Sequence, residues 1–135
     1  MSDPDAAALS VAVSREEHLI RVRLAGHPTS DSIVTMLNDL DRLVAQDPSL
    51  GVLIDEIDLR PTLFSPADIG RFADVWRRSG ALRQARLAVF VMNPAMYGLN
   101  RMFQSLADAH GRMNVFRDLP SAEAWLRGKG DEPTT

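Results

Sequence analysis

The sequence predicts a single α/β domain built on a mostly parallel sheet, and three observations indicate that fold class. Two runs near the start alternate apolar with polar residues, which is the period of a strand. Two later runs, 52–54 and 87–92, are continuously apolar, as strands buried on both faces are. Segments with a helical stripe of apolar residues separate and follow these strands. The order β-β-α-β-α-β-α-β-α implies right-handed crossovers and parallel pairing after an antiparallel first hairpin.

The first part of the chain is predicted to form that hairpin and one helix. Alternation at residues 9–13 and 20–24, on either side of the polar stretch 14–17, is typical of two antiparallel strands joined by a turn. A helix is predicted over residues 32–46, and it ends at Pro48 because proline cannot continue the hydrogen-bond ladder. The apolar stripe of this helix consists of Ile33, Met36, Leu37, Leu40, Leu43 and Val44.

The third strand and second helix are marked by an acidic segment and a capping signal. The apolar run 52–54 is followed by Asp55, Glu56 and Asp58. The next helix is predicted to start at Pro66, with Ser65 as its N-cap and Asp68 completing a capping box.

Two further strand–helix units complete the predicted fold. The strand at 87–92 precedes a helix over about residues 94–109, and a short strand near 113–116 precedes a final helix that contains Trp125. Ligands of parallel sheets usually lie beyond the carboxyl ends of the strands. In this chain those ends are residues 55–64, 93–98 and 117–120.

Composition excludes several functional classes. Of the 135 residues, 45% are hydrophobic and 24% are charged, which is ordinary for a globular protein. The net charge of −3 provides no general attraction for nucleic acid. The absence of cysteine excludes disulfides, thiolate zinc sites and cysteine nucleophiles. Nucleotide-binding and serine-hydrolase motifs are also absent, so we expect no cofactor.

The ends of the chain and its apolar runs bear on location. Residues 1–5 are acidic and lack the apolar segment of a signal peptide. The longest apolar run, 87–92, is far shorter than the roughly 20 residues needed to span a bilayer. We therefore expect a cytoplasmic protein without integral membrane contact. The domain is expected to span residues 8–127, with residues 1–7 and 128–135 as flexible tails.

Three segments carry a resemblance to a known family. They read FSPAD at 64–68, NPAMYGLNRMFQ at 93–104 and VFRDLPSAEAWL at 115–126. Together with the order of elements and the acidic end of the third strand, they are similar to the SpoIIAA-like branch of the STAS domains. The resemblance covers about residues 8–127 and implies a mixed sheet of four or five strands with helices mainly on one face.

The resemblance also implies a kind of function. STAS domains are generally non-catalytic modules, and the better understood members are anti-sigma-factor antagonists that bind a partner kinase. Phosphorylation of a serine switches those members, and that serine opens the helix after the third strand within an Asp-Ser-Ser-Gly-like motif. Here the corresponding region offers Ser65, but the motif itself is absent and Leu63-Phe64-Ser65-Pro66 stands in its place. Some members of the SpoIIAA-like branch are likened to SEC14-type lipid carriers.

Ser65 has two interpretations. As an N-cap it would stabilise the helix by about 1 kcal/mol. As a phosphoacceptor it would place a phosphate against exposed amides and the positive end of the helix dipole. Pro66 removes one of those amides, and Asp68 would repel the phosphate.

The acidic cluster and the histidines are candidates for catalysis and metal binding. Paired carboxylates can perform acid–base chemistry, but Asp55 and Glu56 are neighbours on a strand and point to opposite faces. We therefore expect the acidic side chains of this cluster to be solvated at the end of a buried strand. No histidine lies near it in sequence, and none has metal-binding spacing, so no metal site is expected. The histidines are His18, His27 and His110.

The third helix begins with a group of polar and aromatic residues at the ligand end of the sheet. Tyr97 and Arg101 are i,i+4 neighbours, as are Asn100 and Gln104. Gly98 costs about 1 kcal/mol against alanine inside a helix, which suggests close packing or room for a ligand. In the alternative without binding, Tyr97 packs on the domain and Arg101 pairs with a carboxylate.

The preferred functional hypothesis is a non-enzymatic regulatory module that binds a protein partner. Its binding surface is expected at the loop before Ser65, the second helix and the start of the third. The candidate binding residues are Arg60, Phe64, Ser65, Tyr97, Asn100 and Arg101.

Two other hypotheses remain. The first is a carrier for a small apolar or amphipathic ligand, with a pocket of some hundreds of cubic ångströms lined by Leu63, Phe64, Met96 and Tyr97. The second is an enzyme that uses Asp55 or Asp58 as a base. A homodimer formed through the sheet edge or the second helix is compatible with each hypothesis.

Overall fold

The computed structural model describes residues 9–109 and 111–128, and these residues form one five-stranded sheet with four α-helices. His110 and both predicted tails, apart from Gly128, lie outside the described residues. The predicted order of elements is confirmed. The strands are β1 (Leu9–Arg15), β2 (Leu19–Gly26), β3 (Gly51–Leu59), β4 (Leu87–Phe90) and β5 (Met113–Phe116). The helices are α1 (Ser30–Gln46), α2 (Pro66–Arg78), α3 (Pro94–Leu106) and α4 (Leu119–Leu126), with a 3-10 turn at Leu82–Gln84.

The strand order explains why most helices share one face. The strands lie in the order β1-β2-β3-β4-β5, with β1 antiparallel to β2 and every later pair parallel. Each crossover moves one place in the same direction along the sheet. Crossovers of one hand must then place α1, α2 and α3 on the same face. Of the helices within the described residues, only α4, which follows the last strand, packs on the opposite face.

The two faces bury cores of different size. The larger core lies between the sheet and the first three helices. The smaller core is centred on Trp125 of α4, which is completely buried. Its indole ring lies 5.8 Å from the ring of Phe116, and the guanidinium of Arg86 stacks over it at 4.1 Å. Such a large buried side chain supplies much of the stabilisation of this face.

Several element bounds differ from the predicted ones for identifiable reasons. Helix α1 begins two residues earlier because Thr29 is its N-cap and shares a capping box with Ser32. Helix α3 ends at Leu106, and Asp108 shortly after it has a φ of 54°, which no α-helix continues through. Strand β4 ends at Phe90 rather than at residue 92.

The largest correction concerns the acidic segment. Asp55, Glu56 and Asp58 lie within β3 and not after it. Pairing with β2 continues past Asp55 to Asp58 and Leu59, with an irregularity in the register between Arg23 and Ala25. The polar character of these positions concealed the second half of the strand.

Candidate functional site

The helix that follows β3 begins with the capping arrangement predicted from the sequence. The hydroxyl oxygen of Ser65 accepts a hydrogen bond from the amide of Asp68 at 3.1 Å, and the Asp68 carboxylate accepts one from the amide of Ser65 at 3.2 Å. Pro66 occupies the first turn. The N-cap interpretation of Ser65 is therefore confirmed, and its side chain lies at an exposed position.

Phe64 points away from solvent and toward the larger core. Its ring packs edge-on against that of Phe72 at 5.1 Å between centroids, and the residue is half-buried. It lines a cavity of about 80 Å³ between the sheet and helices α1, α2 and α3. The cavity is well below the several hundred cubic ångströms expected for a carrier. Met96 also lines it, but Leu63 and Tyr97 do not.

The cavity has a buried apolar floor and a partly exposed mouth. The floor includes Met36, Ile54, Phe72, Val89, Phe103 and Met113, and the mouth includes Ile33, Glu56, Phe64, Leu99 and Asn100. Every residue that lines the cavity is apolar apart from Glu56 and Asn100. These two side chains therefore determine what polar chemistry the cavity can perform.

Glu56 and Asn100 are hydrogen-bonded to each other. The amide nitrogen of Asn100 donates to Oε1 of Glu56 at 3.0 Å and to the carbonyl oxygen of Met96, one turn earlier, also at 3.0 Å. Burial raises the pKa of Glu56 to about 7, the hydrogen bond from Asn100 opposes this effect, and the charge of Asp55 adds to it. The pair connects β3 to α3 across the mouth of the cavity.

Asp55 belongs to the other face of the sheet, as the alternation of a strand predicts. It is buried, its Oδ1 accepts the amide of Ile57 at 3.0 Å, and its Oδ2 lies 3.7 Å from Nε of Arg23. Asp58 is exposed. Neither carboxylate lines the cavity.

The polar and aromatic residues in the first turns of α3 contact different parts of the domain. Tyr97 is half-buried and stacks under the guanidinium of Arg117 at 4.3 Å, a contact that sequence reasoning did not predict. Gln104 is buried and donates to the carbonyl oxygen of Met113 at 2.5 Å, so it fastens α3 to β5. Asn100 and Gln104 therefore do not share a site, although they are i,i+4 neighbours.

Two contacts expected on this helix are not formed. Close packing at Gly98 is wrong, because a Cβ added there would meet nothing within 4 Å, whereas this open space is compatible with the other expectation, room for a ligand. Arg101 was considered as a partner of a carboxylate, but it is exposed and its side chain forms no ion pair with another described residue. Arg60 is exposed as well. Both arginines remain available to an external partner.

The carboxyl end of the sheet exposes large apolar side chains that the sequence did not single out for exposure. Leu63, in the loop before α2, is 78% exposed, and Met92, between β4 and α3, is 59% exposed. We call Arg60, Leu63, Met92, Tyr97 and Arg101 the carboxyl-end surface. Large apolar side chains that are this exposed to solvent are typical of protein–protein contact sites.

Two structural features, a cluster of metal ligands and a membrane-spanning helix, were looked for in the part of the chain that the structure describes. Nowhere in residues 9–109 and 111–128 do three histidine or acidic side chains gather closely enough to hold a metal ion. None of the helices within those ranges is long and apolar enough to cross a membrane.

Comparison with known proteins identifies the fold. No family model matches the chain, and no curated protein matches its sequence. Among solved structures, an anti-sigma factor antagonist from Mycobacterium paratuberculosis is similar with a TM-score of 0.61 and 18% identity, over 94% of this chain and 99% of that one. The fold is SpoIIAA-like. A DUF3478-family protein from Shewanella loihica, described as having a SpoIIAA-like fold, is similar with a TM-score of 0.55 and 18% identity, over 87% of this chain and 93% of that one. Both likenesses confirm the SpoIIAA-like fold expected from the sequence.

Glu56 is the functional candidate that sequence reasoning missed. It was grouped with solvated charges because it follows a short apolar run. Strand alternation could have identified it, since Val52, Ile54 and Glu56 share one face and that face carries three helices.

Proposed function

We propose that this chain is a non-enzymatic cytoplasmic regulatory module that binds a protein partner through its carboxyl-end surface. The observation that carries the proposal is the exposure of Leu63 beside the capped start of α2. In the STAS domains that this chain resembles, the regulatory serine lies at the start of the helix that corresponds to α2.

The fold supports a regulatory role by analogy. The similar structure from Mycobacterium paratuberculosis is described as an anti-sigma factor antagonist, and it shares the fold over nearly its whole length. Analogy of fold alone does not assign function. The surface chemistry of this chain supplies the independent argument.

The carboxyl-end surface has the composition of a small docking patch. Leu63 and Met92 offer apolar area, while Arg60 and Arg101 offer guanidinium groups for the carboxylates of a partner. Tyr97 with Arg117 adds a stacked aromatic ring. A partner with an acidic rim around an apolar centre would complement this patch.

The alternatives receive less support from the same observations. A cavity of about 80 Å³ is well below the several hundred cubic ångströms expected for a carrier of a small apolar or amphipathic ligand. The bases suggested for an enzyme are placed outside that cavity. Self-association remains compatible with the proposal, because the outer edge of β1 is unpaired among the described residues and Val11 and Val13 are exposed beside it.

Phosphorylation of Ser65 is the proposed means of switching partner binding. The hydroxyl is exposed, but a phosphate there would replace the hydrogen bond to the amide of Asp68 and would stand beside its carboxylate. Modification would therefore weaken the start of α2 and alter the surface around Leu63. Mass spectrometry of protein from its own host, with and without phosphatase, tests whether a phosphate is present.

Affinity capture from the native host tests the partner proposal. A double variant, Leu63→Ser with Arg101→Ala, removes apolar area and one cation from the carboxyl-end surface. We expect wild type to retain a stoichiometric protein and the double variant to lose it by at least about tenfold, since central interface residues contribute about 2 kcal/mol or more.

A matched control separates binding from folding. Leu106→Ser changes another exposed leucine, at the opposite end of α3. All variants should melt within a few degrees of wild type, and Leu106→Ser should capture the partner normally. Equal capture by all three proteins, or loss of capture by Leu106→Ser alone, would overturn the proposal.

A further inference from the structure

The cavity between the sheet and helices α1, α2 and α3 has a polar mouth and an apolar floor. The proposed partner binding does not use this cavity. Its two polar side chains, Glu56 and Asn100, are both half-buried and sit where strand β3 meets helix α3. The floor is formed by buried aliphatic, aromatic and methionine side chains. A binding site with this division accepts an amphipathic molecule that enters with its apolar end first.

The hydrogen bonds at the mouth decide which polar group fits. A primary amide carries two N–H hydrogens, and those of Asn100 are directed to Glu56 Oε1 and to the carbonyl oxygen of Met96. What remains for a ligand is the second carboxyl oxygen of Glu56 and the amide oxygen of Asn100, which form no hydrogen bond to a described residue. Both atoms are acceptors when Glu56 is ionised. The ligand must therefore bring N–H or O–H donors.

The charge at the mouth favours a cation over a neutral donor. Within the described residues, Glu56 forms no ion pair, and Arg23 pairs with Asp55 on the opposite face of the sheet. An ionised carboxylate in apolar surroundings is costly unless a positive charge accompanies it. An ammonium group would supply both the missing charge and the missing donors.

The size of the cavity limits the apolar part of the ligand. An apolar cavity of about 150 Å³ holds a six-carbon ring, so about 80 Å³ accommodates a chain of roughly three or four carbon atoms. We propose that this cavity binds a short unbranched primary alkylamine, with its alkyl chain on the apolar floor and its ammonium group on the Glu56 carboxylate and the Asn100 carbonyl.

Titration with n-butylammonium, followed by amide chemical shifts, tests the proposal on the intact protein. n-Butanol serves as a neutral ligand of the same length, and butyrate as one of opposite charge. At about pH 8 we expect saturable shifts at the lining residues of β3 and α3, with n-butylammonium binding at least about tenfold more tightly than n-butanol. Butyrate should not bind. Equal affinity for the amine and the alcohol, or shifts confined to acidic surface residues, would overturn the proposal.

The role of Glu56 can be tested in two independent ways. In wild type, affinity for n-butylammonium should fall by about tenfold between pH 8 and pH 5.5, because Glu56 becomes protonated while the amine, with a pKa of about 10.4, stays charged. Glu56→Gln should show a similar loss at pH 8, whereas Glu17→Gln at an exposed position should bind normally. The pH series needs no variant, so it tests the proposal even where Glu56→Gln folds poorly. Binding that is unchanged across this pH range would contradict it.

Discussion

Replacing Glu56 with glutamine should make the protein more stable near neutral pH and leave its stability unchanged in acid. Glutamine has the same shape, and its carbonyl oxygen can still accept the hydrogen bond from Asn100. The variant therefore removes the ionisable proton and keeps the contact. Any pH dependence of the stability difference between the two proteins then comes from this one group.

The magnitude follows from the pKa of Glu56, which burial raises from 4.5 to about 7. A raised pKa of an acid means that the folded state binds the proton more tightly than the unfolded state. Below about pH 4.5, Glu56 is protonated in both states and does not lower the free energy of unfolding of wild type. As the pH rises toward 7, ionisation of Glu56 lowers that free energy, and above about pH 7 the decrease is complete. At 1.36 kcal/mol per pKa unit, the shift corresponds to about 3 kcal/mol as an upper value.

Urea unfolding of both proteins at pH 4.5 and at pH 8 measures this difference directly. We expect equal free energies of unfolding at pH 4.5 and an advantage of up to about 3 kcal/mol for Glu56→Gln at pH 8. Glu17→Gln, at an exposed position, should match wild type at both pH values. A Glu56→Gln protein that is less stable than wild type at pH 8, or whose difference is the same at both pH values, would refute the reasoning.

Three further substitutions test packing, capping and helix propensity, each by urea unfolding. Trp125→Ala should lower the free energy of unfolding by about 3–5 kcal/mol, because it empties the centre of the smaller core, and a loss below about 1 kcal/mol would contradict that role. Ser65→Ala should cost about 1 kcal/mol by removing the cap on the Asp68 amide, and an unchanged stability would exclude the cap as a significant contribution. Gly98→Ala should add up to about 1 kcal/mol, since its Cβ meets open space within α3, and destabilisation would indicate a contact that the geometry lacks.

The sequence predicted those elements whose patterning is carried by apolar residues. The hairpin, the buried strand starting at Leu87 and the capped start of α2 at Ser65 were all read correctly, since periodicity and capping are local properties. The second half of β3 was missed because its acids interrupt the apolar run, although backbone pairing with β2 continues through them. The position of α4 depends on the direction of every crossover before it, which local patterning does not encode.

The sequence predicted that the candidate residues lie at the carboxyl end of the sheet, but it did not predict which of them line the cavity or which residues they contact. Asn100 and Phe64 were predicted to be binding residues, and both line the cavity in the structure. Their direction depends on how α3 and the loop before α2 sit on the sheet. Glu56 and Arg117 acquire their partners, Asn100 and Tyr97, from segments distant in sequence. Spacing rules within one element could not have found those pairs.

Hydrogen exchange of the captured complex, compared with the free protein, tests the proposed binding surface most directly. Binding through the carboxyl-end surface predicts slower exchange in residues 60–65 and 92–97, and unchanged exchange in residues 82–86 and 105–109 at the other end of the sheet. Slower exchange confined to residues 82–86 and 105–109 would contradict the proposed surface.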